Sequence, residues 1–334
     1  MRVVCIRVSI LRKALSAETW TVLFDTDICR RELQAHVRAT DAEQVEFHQI
    51  TRLLKCGCYQ VKGPKRVWSI DGHDKLSQFG FVIYGCIDAY SEYKIWCYCG
   101  HSNRTAVSVN KQFLEACEKT GVFPKTIRSG MGWEVALICN SQLKPRRAEI
   151  PELPFHTIYS FGTSTCNQRI EAWWNQLAGS QTATWCEFFE GLEKDGFFDG
   201  GEIDKACLEF LYMNMIRAHI RGFVEEDNRH RIWKQRNCEH YLPTGRPNKL
   251  YHYPPEGMRD YKSKPWQPLI EELKNDVAAY DLNNYLAVET VTTFCNILEH
   301  GGFQTSFKFN ENHYDTCLYL QRVVWKLVKT DGQF

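Results

Sequence analysis

The sequence has almost no net charge, no long apolar run and no metal-knuckle cysteine spacing, and each absence excludes something. A formal charge of +1 over 334 residues gives no global attraction to a polyanion. Any nucleic-acid surface must therefore come from local clustering balanced by acid elsewhere. No uninterrupted apolar stretch is as long as a membrane span, so no membrane partner is expected. Met1 to Leu15 is fairly apolar, but Arg2, Arg7, Arg12 and Lys13 break any signal-peptide core. No internal repeat or low-complexity tract occurs. The 15 cysteines are scattered, and the close pairs Cys56/Cys58 and Cys97/Cys99 lack the Cys-x-x-Cys spacing of a zinc knuckle or redox motif. A reducing compartment, nucleus or cytoplasm, is expected rather than secretion, with the cysteines acting as small buried hydrophobes and the sequon at Asn103 incidental.

What is present is an ample core: 44% hydrophobic and 13% aromatic residues exclude a disordered chain. Residues 17–55 read as helical, with Leu33, Val37, Val45, Ile50, Leu53 and Leu54 as core positions, and Gly63-Pro64 ends that region. Strand signals follow at Val67 to Ile70, Phe79 to Ile87 and Tyr93 to Cys99, with a turn at Asp74 to Ser77, predicting a three-stranded antiparallel meander. The period then changes. Ala106, Val109, Phe113 and Ala116/Cys117 recur at helical spacing, with Ser102 or Asn103 as cap and Gly121 as terminator. Pro124 to Arg128 and Phe155 to Phe161 read as strands four and five. After the capping residues Thr163-Ser164-Thr165, one helical face carries Ile170, Trp173, Trp174 and Leu177. This order is that of a mixed α/β domain with helices packed on a sheet.

Three segments carry candidate chemistry. Trp68-Ser69-Ile70-Asp71-Gly72-His73 puts a carboxylate in an apolar strand. Ile127 to Glu134 forms the exit from the fourth strand. Asn167-Gln168-Arg169-Ile170-Glu171-Ala172-Trp173-Trp174 puts Glu171 on the polar side of a helix, one turn after Asn167. Each also has a plain alternative: a strand-end Asp, a solvated helical Glu and core tryptophans.

Taken together, these motifs and the run Phe79 to Asp88 resemble the integrase core domain of transposon-derived proteins, relatives of the DDE integrases and transposases. The resemblance spans about residues 50–255, including Thr244-Gly245-Arg246-Pro247 and Leu250-Tyr251. It implies an RNase H-like fold with a mixed five-stranded sheet at residues 65–240. A helical segment at 1–64 would precede it, and an extension at 241–334 with a basic loop and an acidic helical tail would follow. It also implies a two-metal chemistry in which Mg²⁺ or Mn²⁺ ions, about 3.5–4 Å apart, activate the attacking oxygen and stabilise the leaving one. Asp71 and Glu171 would be the first and last catalytic, metal-binding carboxylates.

Where the resemblance calls for the middle Asp, this chain has Gly130, and Gly132-Trp133-Glu134-Val135 stands for Gly-Thr-Glu-Asn. Glu134 is the possible substitute. A hairpin turning near Lys75-Leu76 would pair Asp71 near Phe81 and strand Asp88 over about 20 Å away. Asp74 points into a loop. The expectation is an integrase-like protein impaired in catalysis, with metal binding weak or absent, and retained for binding DNA or a partner. The competing expectations are an active DNA integrase using Glu134 and a scaffold without nucleic-acid contact. Homo-oligomers are implied by the resemblance alone.

Cys97, Cys99 and His101 alternate on one strand, which suits a packed face better than a zinc site. The run from Arg229 to Arg236 is basic with an embedded Trp233, and Lys249, Arg259, Lys262 and Lys264 extend it; a solvated loop is the plain alternative. Phe294, Ile297 and Leu298 suggest one docking helix in the acidic tail, while the last thirty or so residues carry no expectation. If Arg229, Arg231, Lys234 and Arg236 contact phosphates, replacing all four with alanine will weaken DNA binding equally across sequences. Each lost contact will flatten the log–log salt slope by about one unit. Unchanged affinity and slope, measured by fluorescence anisotropy across a salt series, would make the loop plain surface.

Overall fold

The computed structural model describes residues 61–101, 105–162, 167–233, 243–264, 267–305 and 313–331. The helical expectation for residues 17–55, the caps at Ser102 and Asn103, those at Thr163 to Thr165, and Lys234 and Arg236 lie outside these residues. Five strands form one sheet in the order β3-β2-β1-β4-β5. β1 (Val67–His73), β2 (Val82–Asp88) and β3 (Lys94–Gly100) are the antiparallel meander. Helix α1 (Ala106–Thr120) crosses back to β4 (Thr126–Ser129), parallel to β1. α2 (Ala136–Glu149) and the single turn α3 (Phe155–Ile158) lead to β5 (Tyr159–Phe161), parallel to β4. The expected mixed five-stranded sheet flanked by helices is the observed architecture.

Alternation along the strands fills a core on each face. Trp68 and Ile70 of β1 and Tyr84 and Cys86 of β2 pack with Val109, Phe113 and Phe123 under α1 and α2. Ile83 and Ile87 point the other way, into a core completed by α4 (Gln168–Leu177), α5 (Ala183–Lys194) and the 28-residue α6 (Glu202–Arg229). Two-sided covering explains why every residue of β2 is buried and why its sequence reads as one apolar run. After the short α7 (Pro247–His252), α8 (Gln267–Asn275) adds Ile270 and Leu273 to the first core. α9 (Val288–His300) and α10 (Tyr314–Asp331) add Phe294, Ile297, Leu298, Cys317, Leu320 and Val324 to the second.

Several local expectations need correction. The first hairpin does not turn at Lys75-Leu76. Leu76, Phe79 and Phe81 are all buried, so residues 74–81 fold into a compact turn closed by N–H bonds from Phe79 and Phe81 to the Leu76 carbonyl. Asp71 therefore pairs with Gly85, and Asp88 pairs with Trp68, only three residues along or about 10 Å. Asp88 is still no part of the Asp71 site: it accepts bonds from the Lys65 and Ser91 amides and the Ser91 hydroxyl. The start of the expected fifth strand is the turn α3, set by Pro154, whose carbonyl accepts from the Thr157 amide and hydroxyl. Thr105 caps α1, its hydroxyl accepting from the Ser108 amide, and Gly121 ends it in the left-handed conformation at φ 61°.

Cys97 and Cys99 pack on the core under α6, with the Cys99 thiol against the Met213 sulfur. Near the other end of α6, the Asn228 amide nitrogen donates to the Lys94 carbonyl while its oxygen accepts from the Lys94 amide. Because Leu320 is fully buried in the core it shares with α6, Leu320→Ala will cost about 2–5 kcal/mol in denaturant unfolding. A loss below about 0.5 kcal/mol would mean that α10 is not part of the cooperative core.

Candidate active site

The candidate site forms where the C-terminal half of β1 meets α4. Asp71 lies on the face of β1 opposite Trp68 and Ile70, so it points toward α4. β1 and β4 pair in register from Val67 with Thr126 to Ser69 with Arg128. Continued by two residues past its last pair, that register would match Gly130, just beyond the end of β4, with Asp71. Glu134 sits in the single 3-10 turn Trp133–Val135, and its carboxylate folds back over Gly132, where any Cβ would overlap it. Glu171 occupies the first turn of α4. The helix is moored to the strand by Asn167, whose amide donates to the carbonyl of Ile70, the residue before Asp71.

One turn after Glu171, the Trp174 indole N–H donates to Asp71 Oδ2 at 3.2 Å. The same indole stacks on His73, ring centres 5.2 Å apart and planes 19° apart. Trp174 reaches that position by crossing β2 at Gly85, the residue paired with Asp71. A Cβ on Gly85 would come within 2.8 Å of the indole. Trp174, His73 and Gly85 were not recognisable as site residues among the sequence motifs. The available signals were the three-residue spacing of Glu171 and Trp174 and a glycine in the middle of a buried strand, which marks close approach by a neighbour.

Electrostatics separate the titrating groups. The Asp71 carboxyl is raised from 3.8 to about 7, first by burial and then by the field of Glu171, with a smaller push from Glu134. The Gly72 amide and the Trp174 indole oppose this by stabilising the anion. His73 is lowered to about 4 by burial and by Lys75, so its ring is neutral at pH 7. Glu134 is raised by burial and by Asp74. Asp71 thus feels both Glu171 and Glu134, yet among the described residues no three acidic, histidine or cysteine side chains stand close enough to hold one ion. One Asp71 oxygen is occupied by an indole N–H. A Cβ on Gly130 would meet nothing within 4 Å, so that position offers space but no ligand. These donors do not fit a pair of divalent cations.

Arg229 and Arg231, the described arginines of the basic run, are not among the groups at the carboxylates. Arg229 ends α6, next to the Asn228 that holds Lys94, at the end of the sheet that carries Trp68. It lies 3.9 Å from Glu225. Arg231 stacks 4.6 Å from the Trp233 ring centre, and Trp233 is 67% exposed.

Comparison with known proteins adds one finding: a family model described as the integrase core domain matches residues 58–252, more than half of the chain. No curated protein matches it.

The Asp71 proton gives a pH test. The folded chain keeps it up to about pH 7 while the unfolded chain releases it near 3.8. The stability this group gives at low pH is therefore lost as pH rises through that window. Asp71→Asn removes the loss, so the variant's stability relative to the parent will rise by on the order of 3 kcal/mol between pH 4 and 8. Parallel pH profiles in urea unfolding would mean that Asp71 ionises like a surface carboxylate.

Proposed function

The chain belongs to the integrase core domain family, and from that premise we propose that it is a transposon-derived integrase-like protein that binds nucleic acid but no longer cleaves it. Family membership supports a history of DNA-strand chemistry. What supports the loss of that chemistry is Gly130, just past the end of β4: the motif resemblance calls for the middle carboxylate at this position, and glycine supplies no oxygen.

The remaining groups form a polar cluster held against α4. Burial and the field of Glu171 raise the Asp71 carboxyl to about 7. The indole of Trp174 donates to one of its oxygens, and Asn167 fixes the helix that carries Glu171. A bound metal pair would supply the charge that stabilises both oxygens of a phosphodiester displacement. Without the middle ligand, no step through such a pair is supported. Binding to DNA, assembly with further copies and residence in the nucleus or cytoplasm belong to the same proposal. No helix among the described residues is long and apolar enough to cross a membrane.

A second reading has one specific observation in its favour. Glu134 is close enough to raise the Asp71 carboxyl, so a shift of the 3-10 turn could offer it to a metal. Nicking of a labelled duplex in Mg²⁺ or Mn²⁺ separates the two. The unmodified chain will show no metal-dependent product, and Gly130→Asp, which enters open space, will increase metal affinity without unfolding the protein. Metal-dependent nicking by the unmodified chain that disappears with Glu171→Gln would establish the active enzyme instead.

A further inference from the structure

At the opposite end of the sheet from Asp71, three cations converge on one ring. Arg66 immediately precedes β1, Lys125 immediately precedes β4, and Arg259 comes from the segment after α7. Their charged groups lie 4.9, 5.9 and 5.2 Å from the centre of the Tyr261 ring. Three cations within 6 Å of one point repel each other, and a single ring offsets only part of that repulsion.

The acids nearby are already committed. Asp260 pairs with Lys65 at 2.7 Å and accepts from the Lys262 amide, and Glu149 pairs with Arg146. Among the described residues, no ion pair reaches Arg66, Lys125 or Arg259. Lys125 has its ammonium pKa lowered by burial and then by Arg146, Arg259 and Arg66, with Glu149 opposing.

The arrangement is built rather than incidental. The Tyr261 amide donates to the Pro64 carbonyl, and the Phe123 amide donates to the Ser263 carbonyl. Gly63 lets the Arg259 carbonyl and Tyr261 ring approach where a Cβ would collide with both. Beside the cluster lies a cavity of about 460 Å³ lined by Phe123, Pro145, Arg146, Glu149, Ser263 and Lys264, with the Glu149 carboxylate paired to Arg146. Arg146 is 6% exposed, and its Nε is buried without a partner.

We propose that this cluster and its cavity are a binding site for two or more adjacent phosphate groups, with Arg66, Lys125, Arg259 and Lys264 as the charged contacts and Arg146 as the buried anchor. Arg66, Lys125 and Arg259 gather at one ring instead of following a line, which suits a compact polyphosphate. The same chemistry could be presented by a free polyphosphate or by consecutive phosphates of a nucleic-acid strand. The site lies away from Asp71 and does not depend on whether cleavage is retained.

Titration calorimetry on the full chain tests it, with tripolyphosphate as probe, sulfate as single-anion control and a duplex oligonucleotide as competitor. Tripolyphosphate should bind at least tenfold more tightly than sulfate. The double variant Lys125→Gln/Arg259→Gln, at an unchanged Tm, should lose at least tenfold of that affinity. Arg229→Ala/Arg231→Ala should leave it unaltered. Displacement of tripolyphosphate by the duplex would support the nucleic-acid strand as the source, and independent binding of both would support a free polyphosphate. Equal binding of sulfate and tripolyphosphate, or full affinity in a folded Lys125→Gln/Arg259→Gln protein, would overturn the proposal.

Discussion

Covering a sheet on both faces leaves its central strands no side chain that can be ignored, and this constraint organises the molecule. β2 is buried along its whole length, so whatever faces α4 must make room for that helix's two tryptophans. Gly85 makes the room. Its missing side chain lets Trp174 lie across the strand and reach Asp71, and the contact ties α4 to β1 at the candidate site. Asn167 secures the same helix one residue away, at the Ile70 carbonyl. The site's geometry is therefore a by-product of core packing.

That packing also sets the charge state. Burial is the largest influence on both Asp71 and His73, and it acts in opposite directions because it disfavours whichever form is charged. Asp71 is thus an acid whose anion is disfavoured, beside a neutral imidazole and under an indole. Charge has instead accumulated at the other end of β1, where Arg66, Lys125 and Arg259 crowd Tyr261. The near-zero net charge of the whole chain conceals this local excess.

Much of this was legible in the sequence. The meander, the α1 face, Gly121 as its terminator and the buried stripe Ile170, Trp173, Trp174 and Leu177 follow from periodicity and end signals. The family followed from motifs in a fixed order. What escaped depended on tertiary packing. The register of the first hairpin turned on Leu76 and Phe79 of the connection being buried in the core shared with α5 and α6, where Phe79 meets Phe189 and Phe198. α2 was hidden by its internal Pro145, and α6 by burying residues on many sides, which blurs a 3.6-residue stripe. Trp174 could be read as a core residue, but its second role, at its polar atom, depended on a glycine 89 positions away in the chain. The cation cluster assembles from three separate segments, so no local pattern announces it.

The clasp of Asn228 on Lys94 has a consequence for how copies of this chain can meet. β3 is an outer strand of the sheet, and an outer strand with free amides and carbonyls is a template for another strand. By occupying both the amide and the carbonyl of Lys94, the Asn228 side chain imitates one residue of a neighbouring strand and blocks that position. β5, at the opposite border, is only three residues long. Edge-to-edge growth into a continuous sheet, the route to fibrillar aggregation, is thus hindered at one border and offered little length at the other.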